Sequence, residues 1–282
     1  MKKIDRKNGS RIEALFASLK EKKEKALITF ITAGDPDLPT TKKIILELVD
    51  KGADIIELGI PFSDPMADGP TIQLASERAL ASGTTTAKVL SLVKEVRRDG
   101  CTAPVVLFGY YNPIFVYGLE RFARDARRAG ADGVLIVDLP PEESGDLKDA
   151  LEDQGLDFVY LLTPTSDASR IKLVAGKASG FVYYVSVAGV TGARKKLATS
   201  LQAAVKKVKA GIDLPIGVGF GISTPEQAKS AARGAEGVIV GSAIVNIIAK
   251  LGSGKGPANA KATTKMVAEV GRFTKGLKTA LR

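Results

Sequence analysis

The sequence predicts an α/β protein, a single (βα)8 TIM barrel with an added N-terminal helix and a C-terminal helical extension. Seven glycines recur along the chain, each followed closely by an apolar run, and an eighth such run, ALITFITAG, precedes them. Successive glycines lie 23 to 48 residues apart, for most the size of one βα unit. Amphipathic stretches fill the intervals. The glycines are Gly52, Gly100, Gly130, Gly155, Gly180, Gly211 and Gly234.

The length fits either two ordinary domains or one barrel of roughly 250 residues with additions. No Pro-rich or Ser-rich linker interrupts the eight units, so we expect one domain over residues 1–282, with its barrel core at about 25–250. Basic terminal helices are expected at 9–22 and 258–280. An open, doubly wound sheet remains an alternative, because periodicity does not show whether a sheet closes.

Each element has a local reason. Glycine after a helix suits the left-handed C′ position, and the nearly continuous apolar runs suit parallel strands buried on both faces. The long interval after the second strand predicts an enlarged loop with a helix behind it, and the seventh strand is expected to run from Gly217 to Ile222. The predicted helical stretches include Thr40–Asp50, Glu120–Ala129, Pro141–Gln154 and Pro225–Arg233.

The chain has no His and a single Cys. Catalysis by Ser-His-Asp or Cys-His systems, His-ligated metal sites and a disulfide framework are therefore excluded. No apolar run approaches the about 18 residues that a membrane helix needs, and the N-terminus does not resemble a signal peptide. We expect a cytoplasmic protein with no metal and no membrane partner.

The net charge of +10 suggests nucleic acid, but it is concentrated at the two ends of the chain. Residues 1–25 hold nine Lys/Arg against four Asp/Glu, residues 250–282 hold eight against one, and the remainder is slightly acidic. Nucleic-acid-binding domains usually carry a basic stripe on the folded domain. The excess therefore indicates solvated terminal helices, and no nucleic-acid partner is expected.

A carboxylate interrupts the second predicted strand, where Glu57 stands among apolar residues. Alternation places Glu57 and Gly59 on one face, which suits the barrel mouth. Desolvation should raise the pKa of Glu57 and prepare it for general acid/base catalysis, although an ion pair inside the barrel is the alternative. Asp68 follows on the next loop, so that one of the two carboxylates could transfer protons while the other stabilises charge. Asp64, before it, suits a turn. Asp138 suits either a substrate contact or a loop anchor.

Glycines at the ends of the seventh and eighth predicted strands indicate a phosphate site. Gly221 and Gly241-Ser242 each precede a helical stretch, and Thr191-Gly192 after the sixth strand can add donors. Phosphate sites in barrels are commonly built there from backbone N–H groups and helix N-termini. Tight strand-to-helix packing without a ligand is the alternative. On the sixth strand, one of Tyr183 and Tyr184 should face the interior, and the segment after it has the polarity of either a mobile lid or a plain loop.

Several of these segments together resemble one family. ELGIPFSDPMADGPTIQ, with TFITAGDP, YNPI, VDLPPEE, GVTGAR, GFGISTPEQ and GSAIV in order, is similar to tryptophan synthase alpha chains. The resemblance implies a TIM-barrel lyase of tryptophan biosynthesis that cleaves indole-3-glycerol phosphate into indole and glyceraldehyde 3-phosphate. It implies no cofactor in this chain. It also implies a beta-chain partner that carries pyridoxal phosphate, in an alpha2-beta2 heterotetramer.

The resemblance also assigns roles to residues. Glu57 matches the family's general acid/base, and Asp68 matches its partner at the indole N–H. Substrate contacts are implied at Phe30, Tyr183 and Thr191, and phosphate contacts at Gly192, Gly221, Gly241 and Ser242. Contacts with the partner chain are implied at Asp64, Asn112 and Pro140.

Two alternatives stay open at this point. Another phosphate-binding barrel, such as an indole-glycerol-phosphate synthase or a sugar-phosphate epimerase, would share the phosphate site; the synthase would need Lys at strand ends, where this chain has none. A subunit that activates its partner without catalysis would share the partner-facing residues, but it would not need Glu57 and Asp68.

Overall fold

The eight predicted strands form one closed parallel barrel. A computed structural model describes residues 9–185, 194–219, 221–252 and 259–282, with the side chains of 194–200 excepted. Strands pair in chain order, and β1 closes the ring against β8, with Ala26 opposite Gly237. The open-sheet alternative is therefore wrong. The strands are β1 Ala26–Thr32, β2 Ile55–Gly59, β3 Val105–Gly109, β4 Gly133–Ile136, β5 Asp157–Leu162, β6 Val182–Val185, β7 Ile216–Gly219 and β8 Gly237–Val240.

Helices surround the barrel, and the two terminal helices are those expected. A 3-10 turn, Pro141–Glu143, precedes α7. In the described ranges the helices are α1 Arg11–Glu21, α2 Leu38–Asp50, α3 Pro70–Ala81, α4 Thr86–Arg98, α5 Tyr111–Tyr117, α6 Leu119–Ala129, α7 Gly145–Asp153, α8 Ala168–Ala175, α9 Arg194–Lys209, α10 Pro225–Ala231, α11 Ser242–Leu251 and α12 Ala260–Leu281.

Two apolar layers follow from the alternation of side chains along the strands. In β2, Ile56 and Leu58 pack in the large cluster between barrel and helices, whereas Ile55 points into the barrel interior. In β6, Tyr184 joins the outer layer and Tyr183 packs against the interior cluster. The interior layer comprises Ala26, Ile28, Ile55, Val106, Leu135, Val159, Phe181 and Ile239.

Helix α1 closes the barrel at the N-terminal ends of the strands. Its buried residues, Ile12, Phe16 and Leu19, belong to the interior cluster, and the rings of Phe16 and Phe181 lie 6.0 Å apart. A capping box at Ser10 starts the helix. The barrel interior is therefore filled with side chains at this end.

Buried ion pairs hold the same end together. Asp132, 4% exposed, accepts hydrogen bonds from Arg11 at 2.9 Å and Arg97 at 2.6 Å. On α12, the buried Lys278 contacts Asp54 at 2.9 Å, which fixes the terminal helix to the start of β2.

The structure differs from the sequence predictions in four places. The stretch after β2 holds two helices, α3 and α4, because the Thr84-Thr85 break separates them and Thr85 caps the second. The predicted helix Pro141–Gln154 is split after its 3-10 turn, and β7 ends at Gly219 rather than Ile222. Among the seven helix-end glycines, Gly211 lacks a positive φ; a Cβ there would lie 2.8 Å from Ile171 Cγ2, so packing favours glycine instead.

Candidate active site

A cavity of about 200 Å³ opens at the C-terminal ends of the strands. It brings together seven of the residues singled out in the sequence. They come from five strands and the segments that follow them, so only barrel closure makes them neighbours. They are Phe30, Glu57, Asp68, Tyr183, Gly221, Gly241 and Ser242.

Glu57 lies inside the cavity wall with no exposed surface. It sits opposite Phe30 of β1 and Val106 of β3, both apolar. Neither of its carboxylate oxygens has a hydrogen-bond partner in the described part of the chain. Burial raises the pKa of Glu57 from 4.5 to about 8. The ion-pair alternative finds no partner within the described residues, and the carboxyl group is neutral at pH 7.

Asp68 occupies the loop between β2 and α3 and is partly exposed at the cavity. The Tyr110 hydroxyl donates a hydrogen bond to Asp68 Oδ2 at 3.0 Å and accepts one from the Ala67 N–H at 3.0 Å. Burial raises the pKa of Asp68, and the hydrogen bond from Tyr110 opposes that rise. The two carboxyl groups thus occupy different environments, a buried apolar one and a polar one at the rim.

Aromatic rings form the apolar wall of the cavity. Phe30 and Phe108 meet edge to face with ring centroids 5.0 Å apart. Burial raises the pKa of Tyr183, and the negative charges that Glu57 and Asp68 carry at high pH raise it further, so its hydroxyl stays protonated. A flat aromatic substrate fits such a wall.

Two glycines make room for these rings. A Cβ on Gly59 would lie 2.8 Å from Phe30 Cζ, and a Cβ on Gly219 would lie 2.7 Å from Tyr183 Cζ. Both distances are too short for a real contact. The ring positions therefore depend on residues that have no side chain.

The opposite wall presents a helix N-terminus. Helix α11 begins at Ser242 after Gly241, with no side chain capping its first turn. Such a turn leaves N–H groups free to bind an anion. Gly221 adopts φ +54°, a left-handed conformation that favours glycine. A Cβ at this position would have no described atom within 4 Å, so the space beside the backbone is free. Thr191 and Gly192, also expected here, lie outside the described residues.

The residues expected to face a partner are all exposed at the same end of the molecule. Asp64, Asn112 and Pro140 lie on the loops or short helix after β2, β3 and β4. Asp64 also builds a turn, accepting the Met66 N–H at 2.8 Å. Large apolar side chains are exposed beside them: Met66 at 84%, Phe115 at 60% and Val116 at 77%.

Some cavity residues escaped the sequence reasoning. Phe108 and Ile239 could have been predicted from the sequence, because alternation places them on the interior face of their strands. Ile72 could not be predicted, because its position depends on how α3 packs. Tyr110, which does not line the cavity but hydrogen-bonds to Asp68, could not be predicted either. Asp138 proves to be a loop anchor that accepts the Tyr111 N–H at 2.8 Å. Other lining residues that were missed are Val185, Gly219 and Ile222.

In the ranges that the structure covers, no group of three His, Cys, Asp or Glu side chains is arranged to hold a metal ion. Within the same ranges, no helix has the length and apolar character needed to cross a membrane.

Comparisons with known proteins agree with the resemblance seen in the sequence. The model of the family described as "Tryptophan synthase alpha chain" matches residues 16–281. The alpha chain of Citrifermentans bemidjiense is 63% identical over 241 residues, which is 86% of this chain and 90% of that protein. The alpha chain of Pelobacter propionicus is 53% identical over 272 residues, covering 96% and 98%.

Solved structures give the same result. Tryptophan synthase subunit alpha from Legionella pneumophila str. Paris superposes with a TM-score of 0.87 at 41% identity, covering 96% of this chain and 98% of that one. Tryptophan synthase from M. tuberculosis in its aminoacrylate-bound form superposes with a TM-score of 0.84 at 34% identity, covering 97% and 100%.

Proposed function

The chain belongs to the tryptophan synthase alpha chain family, and on that premise we propose that Glu57 and Asp68 carry out its chemistry in the cavity at the barrel mouth. The activity is that of a lyase, the cleavage of indole-3-glycerol phosphate into indole and glyceraldehyde 3-phosphate. The observation that carries the residue assignment is a fully buried Glu57 without a hydrogen-bond partner in the described residues, beside Asp68.

Glu57 begins the reaction as a neutral acid. It donates its proton to C3 of the indole ring, and positive charge develops at the ring nitrogen. The C3 to side-chain bond then breaks, its electron pair returns to the ring, and the adjacent hydroxyl becomes the aldehyde carbonyl. The hydroxyl proton passes to the Glu57 carboxylate, which regenerates the acid. One group can serve both transfers because its raised pKa of about 8 lies close to neutral pH.

Asp68 stabilises the charge that develops on the ring. A carboxylate at the indole N–H lowers the energy of the cationic intermediate more than that of the neutral substrate, which is the condition for faster reaction. Tyr110, which does not line the cavity, holds the carboxylate through its hydrogen bond to Oδ2.

The rest of the substrate is held at the two walls. Phe30 and Tyr183 contact the indole ring, while Gly221, Gly241 and Ser242 bind the phosphate at the N-terminus of α11. Thr191 and Gly192 complete the proposed set. No Lys lines the cavity in the described residues, which disfavours an indole-glycerol-phosphate synthase reaction.

The family works together with a beta chain. We propose an alpha2-beta2 heterotetramer in the cytoplasm, with Asp64, Asn112 and Pro140 at the contact between unlike chains. The exposed apolar side chains beside these residues support this face. The proton transfers above use only side chains of this chain, so the proposal assigns pyridoxal phosphate to the beta chain alone.

The proposal is tested by indole release from indole-3-glycerol phosphate, with and without added beta chain. Glu57→Gln should abolish release, and Asp68→Asn should lower kcat by about 100-fold with little change in KM, since a charge acting mainly in the transition state is lost. Asp64→Asn is the matched control and should leave the isolated chain unchanged. Normal turnover by Glu57→Gln would exclude the acid/base role, and a loss confined to KM in Asp68→Asn would exclude charge stabilisation.

A further inference from the structure

Helix α3 begins two residues after Asp68 and its first turn holds the loop that carries this residue. The Gln73 side-chain amide donates to the Asp68 carbonyl oxygen at 2.9 Å and reaches the Pro65 carbonyl oxygen at 3.5 Å. Ile72, beside it, lines the cavity. The backbone position of Asp68 therefore depends on where the first turn of α3 lies.

The second half of α3 is fixed to a different loop, the one after β1. Arg78 donates two parallel hydrogen bonds to Asp35, Nε to Oδ1 at 2.7 Å and Nη2 to Oδ2 at 2.8 Å. Asp35 is only 1% exposed. The Ser82 hydroxyl adds a hydrogen bond to the Gly34 carbonyl oxygen at 3.0 Å. The TAGDP segment thus contacts α3 near its end.

The contact between the loop after β1 and the end of α3 is close, and it fixes the relative positions of the two segments. Gly34 adopts φ +90°, and a Cβ there would lie 2.8 Å from Thr84 Cβ, just after α3. A bidentate guanidinium–carboxylate pair fixes orientation as well as distance, which a single hydrogen bond does not. A buried ion pair of this kind stabilises the fold little more than a well-packed apolar pair would. Its main effect is therefore to fix the position of α3 relative to the loop after β1.

We propose that α3 is a positioning helix for Asp68, anchored to the loop after β1 by the Asp35–Arg78 pair and holding the Asp68 backbone through Gln73. The inference rests on the proposed function, since it assumes that Asp68 acts on the substrate. None of the three residues touches the reacting atoms. Their effect is to keep the Asp68 carboxylate within the narrow range of positions where it stabilises the ring.

The chain offers a matched control at the opposite end of the barrel. Arg97 makes a comparable buried ion pair with Asp132, Nη2 to Oδ2 at 2.6 Å, with side chains 13% and 3% exposed. Arg78→Met leaves the buried Asp35 without its cation. Arg97→Met leaves Asp132 with Arg11 alone and removes hydrogen bonds to three backbone carbonyls, those of Gly130, Cys101 and Ala103, so both variants should lose stability. Only the loss at Arg78 should reach Asp68.

The experiment compares Arg78→Met and Gln73→Leu with Arg97→Met in the full chain. We expect kcat for indole release to fall about tenfold or more in the first two, with KM changed less than about twofold, because small displacements of a catalytic group are costly. Arg78→Lys, which keeps the charge but not the fork, should be intermediate. Arg97→Met should keep the kcat of the unsubstituted chain.

Amide hydrogen exchange gives a readout that does not depend on activity. The Ala67 and Asp68 N–H groups are hydrogen-bonded to the Tyr110 hydroxyl and the Pro65 carbonyl. Their exchange should accelerate in Arg78→Met and Gln73→Leu and not in Arg97→Met. Gln73→Leu keeps the ion pair, so it tests the idea even if Arg78→Met does not fold.

Equal kcat and exchange in Gln73→Leu and in the unsubstituted chain would overturn the proposal. So would equal changes in Arg78→Met and Arg97→Met. Normal kcat in Asp68→Asn would instead overturn the function proposed for Asp68, and the exchange rates would still report on the positioning helix.

Discussion

At the scale of single residues, the proposed chemistry depends on an acid, Glu57, that its surroundings keep protonated. Glu57 has apolar neighbours on both adjacent strands and no hydrogen-bond partner in the described residues. Its carboxylate therefore loses the hydrogen bonds that water makes to it in the unfolded chain, and no described protein group supplies others. The charged form is therefore disfavoured, and the pKa is raised. In a chain without His, this raised pKa suits Glu57 to the proton transfers proposed for it near neutral pH.

The same burial should be visible as a pH-dependent stability. Between the ordinary pKa of 4.5 and the raised value of about 8, the folded chain keeps a proton that the unfolded chain has lost. The free energy of unfolding therefore falls as pH rises through this window. Glu57→Gln carries no such proton, so from pH 5 to 8 it should lose about 3 kcal/mol less stability than the unsubstituted chain.

Urea unfolding of both proteins at several pH values measures this difference. The same protonation should make indole release by the unsubstituted chain decline as pH rises through about 8. Parallel stability curves for the two proteins would mean that the Glu57 pKa is not raised in the folded state.

At the scale of elements, each end of the barrel is closed by a different kind of structure. Helix α1 fills the N-terminal end with the side chains of Ile12, Phe16 and Leu19. At the other end, α3 and α11 meet through Thr71 and Asn246, 3.4 Å apart, and leave the cavity between them. Stability and chemistry are thus assigned to opposite ends, as is usual in such barrels.

Truncation of one aromatic ring at each end should separate the two roles. Phe16→Ala removes a ring that is 6% exposed and packed on Phe181, so unfolding free energy should fall by about 3 kcal/mol. Its kcat and KM should be unchanged at a temperature where it is folded. Phe30→Ala, at the cavity, should raise KM.

Urea denaturation and indole release, measured on both variants, test this separation. A kinetic defect in Phe16→Ala as large as that of Phe30→Ala would show that the two ends of the barrel are coupled.

At the scale of the whole molecule, three exposed apolar side chains lie at the same end as the candidate site. Met66 precedes Asp68 by two residues, and Phe115 and Val116 lie on α5, which begins directly after Tyr110. A partner seated on these side chains would contact the segments that carry Asp68 and its hydrogen-bond donor. The proposed substrate site and the proposed interface therefore share a loop.

A charge placed on this face should weaken the complex. Val116 is 77% exposed, and Val116→Asp should raise the Kd for the beta chain about tenfold or more, because a buried unpaired carboxylate is costly. Indole release by the isolated chain should be unchanged. Lys265→Asp on the exposed side of α12 is the control.

Isothermal titration of each variant with beta chain measures the Kd. Equal Kd values for Val116→Asp and the unsubstituted chain would show that Val116 does not lie in the interface with the beta chain.

Local pattern alone determined a large part of this protein. The recurring glycines and apolar runs predicted eight βα units, and six of the seven glycines do have positive φ. Alternation along β2 predicted the inward direction of Glu57, because a strand offers only two faces. The long motif after β2 identified the family and so the activity.

Only the tertiary structure decided the rest, because it depends on segments far apart in sequence. Closure of the barrel brings Phe30 of β1 beside Gly241 after β8, which periodicity cannot specify. Tyr110 reaches Asp68 across 42 residues of chain, and Arg78 reaches Asp35 across 43. Such contacts follow from the packing of helices on a closed sheet, and no local propensity encodes them.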